Sequence, residues 1–186
     1  MAYATYTTTA IVCGSKLVNT ADRAYLLLTK DSGMLWANAR SVREESSKQR
    51  YAMQDFSHVK ISLVKGKSGW RVGSVESLKN YFFSATDREA RASVQRVVKL
   101  IRRFMHGEEA VPEVFSDVEA ALSAAAGGQS NVDEIFELRL LYLLGYIKSE
   151  PAYAPLLERE LATHADTLLP SAARAAIKHA QTVSHL

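Results

Sequence analysis

Glu160 and His164 stand four residues apart, a separation that brings two side chains to one face of a helix, and Glu158 and Asp166 lie close by. No third metal ligand is fixed by spacing, so the set reads as a surface pair. Gly66-Lys67-Ser68 has the ending of a phosphate-binding loop. That loop needs a glycine five residues before the Lys-adjacent Gly, where Ile61 stands, and a helix after it, where the residues predict a strand. A hairpin turn is the reading. Cys13, the single cysteine, lies in an apolar strand-like run and reads as a small core residue rather than a nucleophile. The five histidines are scattered, and no Ser/His/Asp or Cys/His arrangement stands out. No catalytic residue, cofactor or metal is therefore assigned, and an enzyme ranks last among the function classes.

The chemistry that does recur is cationic. Residues 1–80 hold 12 Lys and Arg against 6 Asp and Glu, a balance of +6, whereas residues 81–186 hold 11 against 14, a balance of −3. A basic module beside a mildly acidic one predicts that the first meets a polyanion. Arg40, Arg43, Lys48, Arg50, Lys65, Lys67 and Arg71 fall at loops or strand ends and are interleaved with Tyr25, Trp36, Tyr51, Phe56 and Trp70. A positive groove with aromatic platforms holds single strands without strict sequence readout. For Trp36 and Phe56 core packing is the simpler role; Trp70, beside a Gly-rich turn, fits either. At roughly 100° per residue, Arg88, Arg91, Arg96, Lys99, Arg102 and Arg103 share about 140° of arc. Such a stripe suits a phosphate backbone, because each contact releases condensed counterions, and its bland alternative is a solvated helix face.

These residues need a scaffold. Residues 8–17, 24–29, 34–39, 59–64 and 70–78 are short and rich in β-branched or aromatic side chains, which predicts five strands. Segments 30–33 and 66–69 have the length and glycine of hairpin loops. The link of residues 40–56 is polar and basic, with a helix-compatible stretch at 49–54. Five strands with an insertion after the third is the order of an OB-fold, a small Greek-key barrel. From Ser84 the apolar period becomes helical. Thr86 with Glu89 reads as a capping box ahead of Val94, Val97, Val98, Ile101, Phe104 and Met105. Pro112 opens a second helix closed by Gly127-Gly128. Asn131 with Glu134 caps a third, apolar around most of its axis, and helices at 154–164 and 171–182 complete an all-helical region. The fold class is α+β: an OB-fold β-barrel at 1–80 followed by a helical domain at 81–186.

One cysteine excludes an intramolecular disulfide and any cysteine-cluster zinc site. No apolar run approaches the roughly 20 residues of a bilayer span, and residues 1–12 lack the pattern of a secretory leader. The expected compartment is the cytoplasm, with no membrane partner.

Several stretches bring a family into view. Thr9-Ala10-Ile11-Val12, Asp22-Arg23 leading into Leu26 to Gly33, the basic link from Ala39-Arg40, and Gln54-Asp55-Phe56 ahead of Val59 to Leu63 resemble the barrel of the bacterial recombination mediator RecO family. Phe136-Glu137-Leu138-Arg139-Leu140-Leu141 through Gly145-Tyr146 is similar to its most recognisable helix. The chain departs from that pattern in three ways. No glycine occupies the basic turn after the third strand, Asp55 stands where a proline is usual, and the cysteine zinc module that many members insert after the Gly145-Tyr146 helix is missing, so no zinc is expected there. The chain is also shorter than usual, which implies a minimal helical domain and an altered partner surface. The resemblance implies a non-enzymatic role in DNA recombination and the repair of DNA damage. It implies binding to single- and double-stranded DNA, annealing of complementary strands, recognition of the C-terminal tail of the single-stranded DNA-binding protein, and action with RecR to load RecA. Arg139 and Lys148, near the ends of the third long helix, are the candidate cations for that peptide tail, the alternative for Arg139 being a pair with Glu134 or Glu137. Two other classes compete: a protein-interaction adaptor with little DNA affinity, and a small RNA-binding barrel protein.

Overall fold

The computed structural model describes residues 5–42, 44, 47, 49–158, 160–164 and 166–183. Cα proximity divides the chain into two compact units, Met1–Tyr81 with Met105–Pro112, and Phe82–Phe104 with Glu113–Leu186.

The first unit is a closed barrel of strands β1 (Thr5–Leu17), β2 (Arg23–Thr29), β3 (Gly33–Ala39), β4 (Ser57–Gly66) and β5 (Gly69–Asn80), in the order β1-β2-β3-β5-β4. Only the β3–β5 pairing is parallel among these neighbours, and β1 pairs with both β2 and β4 to close the ring. This is the OB-fold order. Closure leaves no free sheet edge, and the strand interiors alternate accordingly. Ala10, Val12, Tyr25, Leu27, Leu35, Ala37, Ala39, Val59, Ile61 and Leu63 fill the barrel, with Val42 and Met53 from the β3–β4 link. The register of β1 shifts between Val12 and Gly14, so Cys13 sits at a bulge and is buried. The short helix α1 (Gln49–Ala52) follows in the link, its Gln49 side chain donating to the Gly73 carbonyl of β5. At the β4–β5 turn the strands end at Gly66 and resume at Gly69, so the Lys67-Ser68 segment is a hairpin tip.

The Met105–Pro112 segment packs on this barrel. Met34 donates its backbone N–H to the Gly107 carbonyl, and Gly33 lies so close to Glu109 that a Cβ there would stand 2.3 Å from the Glu109 carbonyl oxygen. With φ at +61° as well, position 33 admits only glycine without rearrangement.

The second unit consists of α2 (Arg88–Phe104), α3 (Pro112–Ala126), α4 (Val132–Leu143), α5 (Ala154–Glu158) and α6 (Ser171–Val183), with a 3₁₀ turn at Leu161–Thr163. Helix α4 is the hub: Val132, Ile135, Phe136, Leu138, Leu140 and Leu141 are buried, and it packs against α2, α5 and α6. Its C-terminus closes as a Schellman turn, Tyr146 N–H bonding to Leu141 O and Gly145 N–H to Tyr142 O, with Gly145 at φ +80°.

Three local expectations are corrected. The cap of α2 is Asp87, whose Oδ1 accepts from Ala90 N, because the Thr86 backbone is tied to Ala126 O and Glu89 reaches Arg96 instead. Asn131 occupies the N-cap of α4 in a left-handed conformation without a side-chain cap bond, and Glu134 pairs with Arg174 of α6. The helix expected over 154–164 breaks after Glu158. Arg139 Nη1 donates to the carbonyls of Leu156 and Leu157, each of which an unbroken helix would have used for one hydrogen bond of its next turn.

Candidate nucleic-acid interface

Arg40 lies just beyond β3 and is exposed. Its turn is fixed by Asp22, which accepts from Ser41 N at 2.8 Å and from Asn19 Nδ2 at 2.9 Å, while Asn19 Oδ1 receives the N–H groups of Ala21 and Asp22. The Ser41 N–H and then the Asn19 amide hold the Asp22 carboxyl below its ordinary range. Ser41 adopts φ +50°, so it supplies the left-handed residue for which this chain has no glycine. Arg50 on α1 and Lys67 at the hairpin tip are exposed, and Arg71 on β5 is half-buried opposite Asn38. Arg43 and Lys48 lie outside the described residues.

Lys65 is differently placed. Its Nζ bonds Glu108 at 3.0 Å and stands 4.9 Å from the Trp70 ring centroid. Lys65, and then the Trp70 indole, lower the Glu108 carboxyl from its usual value. This cation already has an anion, delivered by the Met105–Pro112 segment.

Along α2 the sequence stripe separates into two rows. Arg88, Arg91, Lys99 and Arg102 are exposed and have no carboxylate ion-pair partner among the described residues. They share about 80° of arc. The flanking positions face α4. Arg96 binds both Glu89 and Asp133, and Arg103, half-buried, lies over Phe104 at 5.1 Å and faces Glu137, whose carboxyl is raised by burial against the partial opposition of Gln181 and Arg103. Arg96 belongs to the wall of a cleft of about 550 Å³ whose other side chains include Asp87, Glu89, Ser93, Asp133 and Glu134. That cleft repels phosphate.

The aromatic residues differ in exposure. Tyr25 points into the core, Phe56 is half-buried at φ +70°, and Trp70 packs toward Tyr6 with ring centroids 6.5 Å apart. Tyr51 is exposed on α1. Trp36, for which core packing was the simpler expectation, faces outward with 42% of its surface exposed, and Lys16 Nζ lies 4.3 Å from its ring centroid. Neither the exposure of Trp36 nor the part of Lys16 was read from the sequence. The alternation of Trp36 with Leu35 and Ala37 was the signal available for the first.

Of the two peptide-binding candidates, Arg139 is committed internally. It grips Asp117 through Nε at 2.7 Å and Nη2 at 3.0 Å and holds the α5 carbonyls with Nη1; the two side chains are 12% and 11% exposed. Its partner is Asp117 of α3, neither Glu134 nor Glu137. Lys148 is exposed after α4. Near the chain end, Asp166 accepts from Ser130 N and Oγ rather than joining Glu160 and His164, and among the described residues no group of three or more His, Cys, Asp or Glu is placed to hold a metal. Among the same residues no helix is long and apolar enough to cross a membrane.

Comparison with known proteins agrees with this two-part architecture. Residues 1–81 match the family model described as recombination protein O N terminal, and residues 85–176 the one described as recombination protein O C terminal. The chain is 31% identical over 142 residues to the DNA repair protein RecO of Desulforudis audaxviator, covering 76% of this chain and 57% of that protein. It is 27% identical to the DNA repair protein RecO of Dehalococcoides mccartyi, over 76% of this chain and 56% of the relative. With that of Pelotomaculum thermopropionicum it shares 26% identity, over 83% and 58%. The chain thus spans under three-fifths of the length of these curated relatives.

Proposed function

Because the chain belongs to the recombination protein O family, we propose that it is a cytoplasmic, non-enzymatic DNA-binding mediator of recombinational repair. It binds single- and double-stranded DNA, anneals complementary strands, and acts with RecR and the tail of the single-stranded DNA-binding protein to load RecA. The observation that carries the DNA-binding part is the row Arg88, Arg91, Lys99 and Arg102, four exposed cations on one helix face without an ion-pair partner among the described residues. Unpaired cations in a row are set to exchange condensed counterions for phosphate contacts. Exposed Arg40, Arg50 and Lys67, with half-buried Arg71 beside them, add positive charge for phosphate on the barrel, and the apolar content of the helical unit with exposed Lys148 supplies an apolar peptide tail with a cation. Arg139, spent on Asp117 and α5, plays no part in that capture.

The test is fluorescence anisotropy of a labelled single-stranded oligonucleotide at several salt concentrations, with duplex DNA and structured RNA as competitors. With about five phosphate contacts, log K falls against log salt with a slope near roughly −3.5. Absence of binding at low salt would replace this reading with the adaptor, and preferential competition by structured RNA would replace it with an RNA-binding barrel.

A further inference from the structure

The outer face of the barrel carries an aromatic side chain that charge alone does not explain. Leu35, Ala37 and Ala39 of β3 are buried in the core, so Trp36 and Asn38 point outward, and exposed Arg40 continues their row past the strand end. Across the sheet Trp36 is in register with Leu26 of β2, which is in register with Gly14 of β1, and Lys16 is set against Ala24. On the other side Asn38 meets Arg71 of β5. The indole is therefore surrounded by small, apolar or cationic residues, with the Lys16 ammonium resting on its ring at 4.3 Å.

We propose that Trp36 is a stacking platform for an unpaired nucleobase, and that Lys16 is a movable cation that leaves the ring for the strand's phosphate when a base takes its place. The inference rests on the DNA-binding reading above and adds to it a residue that separates single strands from duplex. Two magnitudes decide the exchange. An exposed cation–π contact is weaker than a base stacked on an aromatic ring, so the base displaces the ammonium. The released lysine still serves the complex, because a flexible ammonium on a four-carbon stem finds the adjacent phosphate and releases a counterion there. Duplex DNA offers only base edges in its grooves, its base faces being covered by their neighbours, so it gains nothing from an indole on a barrel surface. The acidic side chains of a protein segment would satisfy Lys16 and Arg40 but offer the ring no aromatic face.

The experiment compares oligo(dT) of about 15 nucleotides, within the span of an OB-fold site, with a duplex of the same length. Trp36→Ala is expected to weaken oligo(dT) binding by about tenfold and to leave duplex affinity within about twofold. Trp36→Phe restores most of the single-strand affinity while removing the part of the tryptophan quenching that oligo(dT) causes in the parent protein. Lys16→Met lowers the single-strand salt slope by about 0.7, the share of one phosphate. Urea unfolding of each variant checks that the outward-facing substitutions leave the barrel folded. Equal losses for both DNA forms, or an unchanged oligo(dT) affinity in Trp36→Ala, overturn the stacking inference alone. Parent protein that binds neither form overturns the inference together with the reading beneath it.

Discussion

Ser41 holds a left-handed backbone at φ +50° with its N–H on Asp22, so the turn that carries Arg40 is built from an unfavourable conformation anchored by one carboxylate. Ser41→Gly is expected to raise stability by up to about 1 kcal/mol, and Ser41→Val to lower it by a similar amount or more, both read from urea midpoints. A second single-residue effect belongs to Glu137, which accepts from Gln181 on α6. Burial raises its carboxyl above the ordinary value of 4.5, and the Gln181 bond and Arg103 only partly oppose this. The folded state therefore takes up a proton that the unfolded chain does not hold between those two values. Glu137 contributes most below the ordinary value, and that contribution is lost as pH rises through the raised one. Glu137→Gln removes this slope and raises stability at neutral pH; a variant that keeps the slope in acid-to-neutral unfolding curves would assign it elsewhere. At this scale strand parity holds more than the expectation took from it: Leu35, Ala37 and Ala39 alternate with Trp36 and mark it as an outward residue, against the core role expected for it. It was silent on the partner of Lys65, because Glu108 is 43 positions away and nothing local draws the two together.

The elements were legible because their signals are local. Alternation and glycine turns delimited five strands, and the 3.6-residue period delimited α2, α3 and α4. The errors came where a distant side chain supplied what a local motif promised. Arg139 reaches from α4 to take the carbonyls that end α5, and Asp87 caps α2 while Thr86 is engaged with α3. The Asp117–Arg139 pair joins α3, α4 and α5 and is nearly buried, so removing one charge strands the other in a dry environment. Arg139→Met should cost about 3–5 kcal/mol in chemical denaturation, and Asp117→Asn in the same background should recover part of that deficit. The Met105–Pro112 segment makes a separate case. Its Glu108 neutralises Lys65, so Glu108→Gln is expected to tighten DNA binding by about two- to threefold, the order of an exposed pair. Lys65→Ala should then matter little in the parent and more in the Glu108→Gln background, a coupling that a double-mutant cycle measures directly.

For the molecule as a whole, net charge is a poor guide to where a polyanion settles. The chain totals +3, yet its second half is net negative and still carries the row Arg88, Arg91, Lys99 and Arg102. What matters is which cations are left without carboxylates after folding, and that depends on the acids α4 presents to α2. Asp133 takes Arg96 and Glu137 faces Arg103, so two of six stripe residues are turned from ligand binding to helix packing. A helical wheel shows the stripe but not this division, because the wheel has no neighbour in it. The two rows can be separated experimentally. Replacing Arg88, Arg91, Lys99 and Arg102 with Gln should flatten the duplex salt slope by about 0.9 for each phosphate no longer neutralised and weaken all sequences alike. Arg96→Gln removes a charge from the same helix but should leave the slope unchanged, since its guanidinium already lies between Glu89 and Asp133. Equal flattening by Arg96→Gln and by any single member of the row would mean that charge count, not partnering, governs the interface.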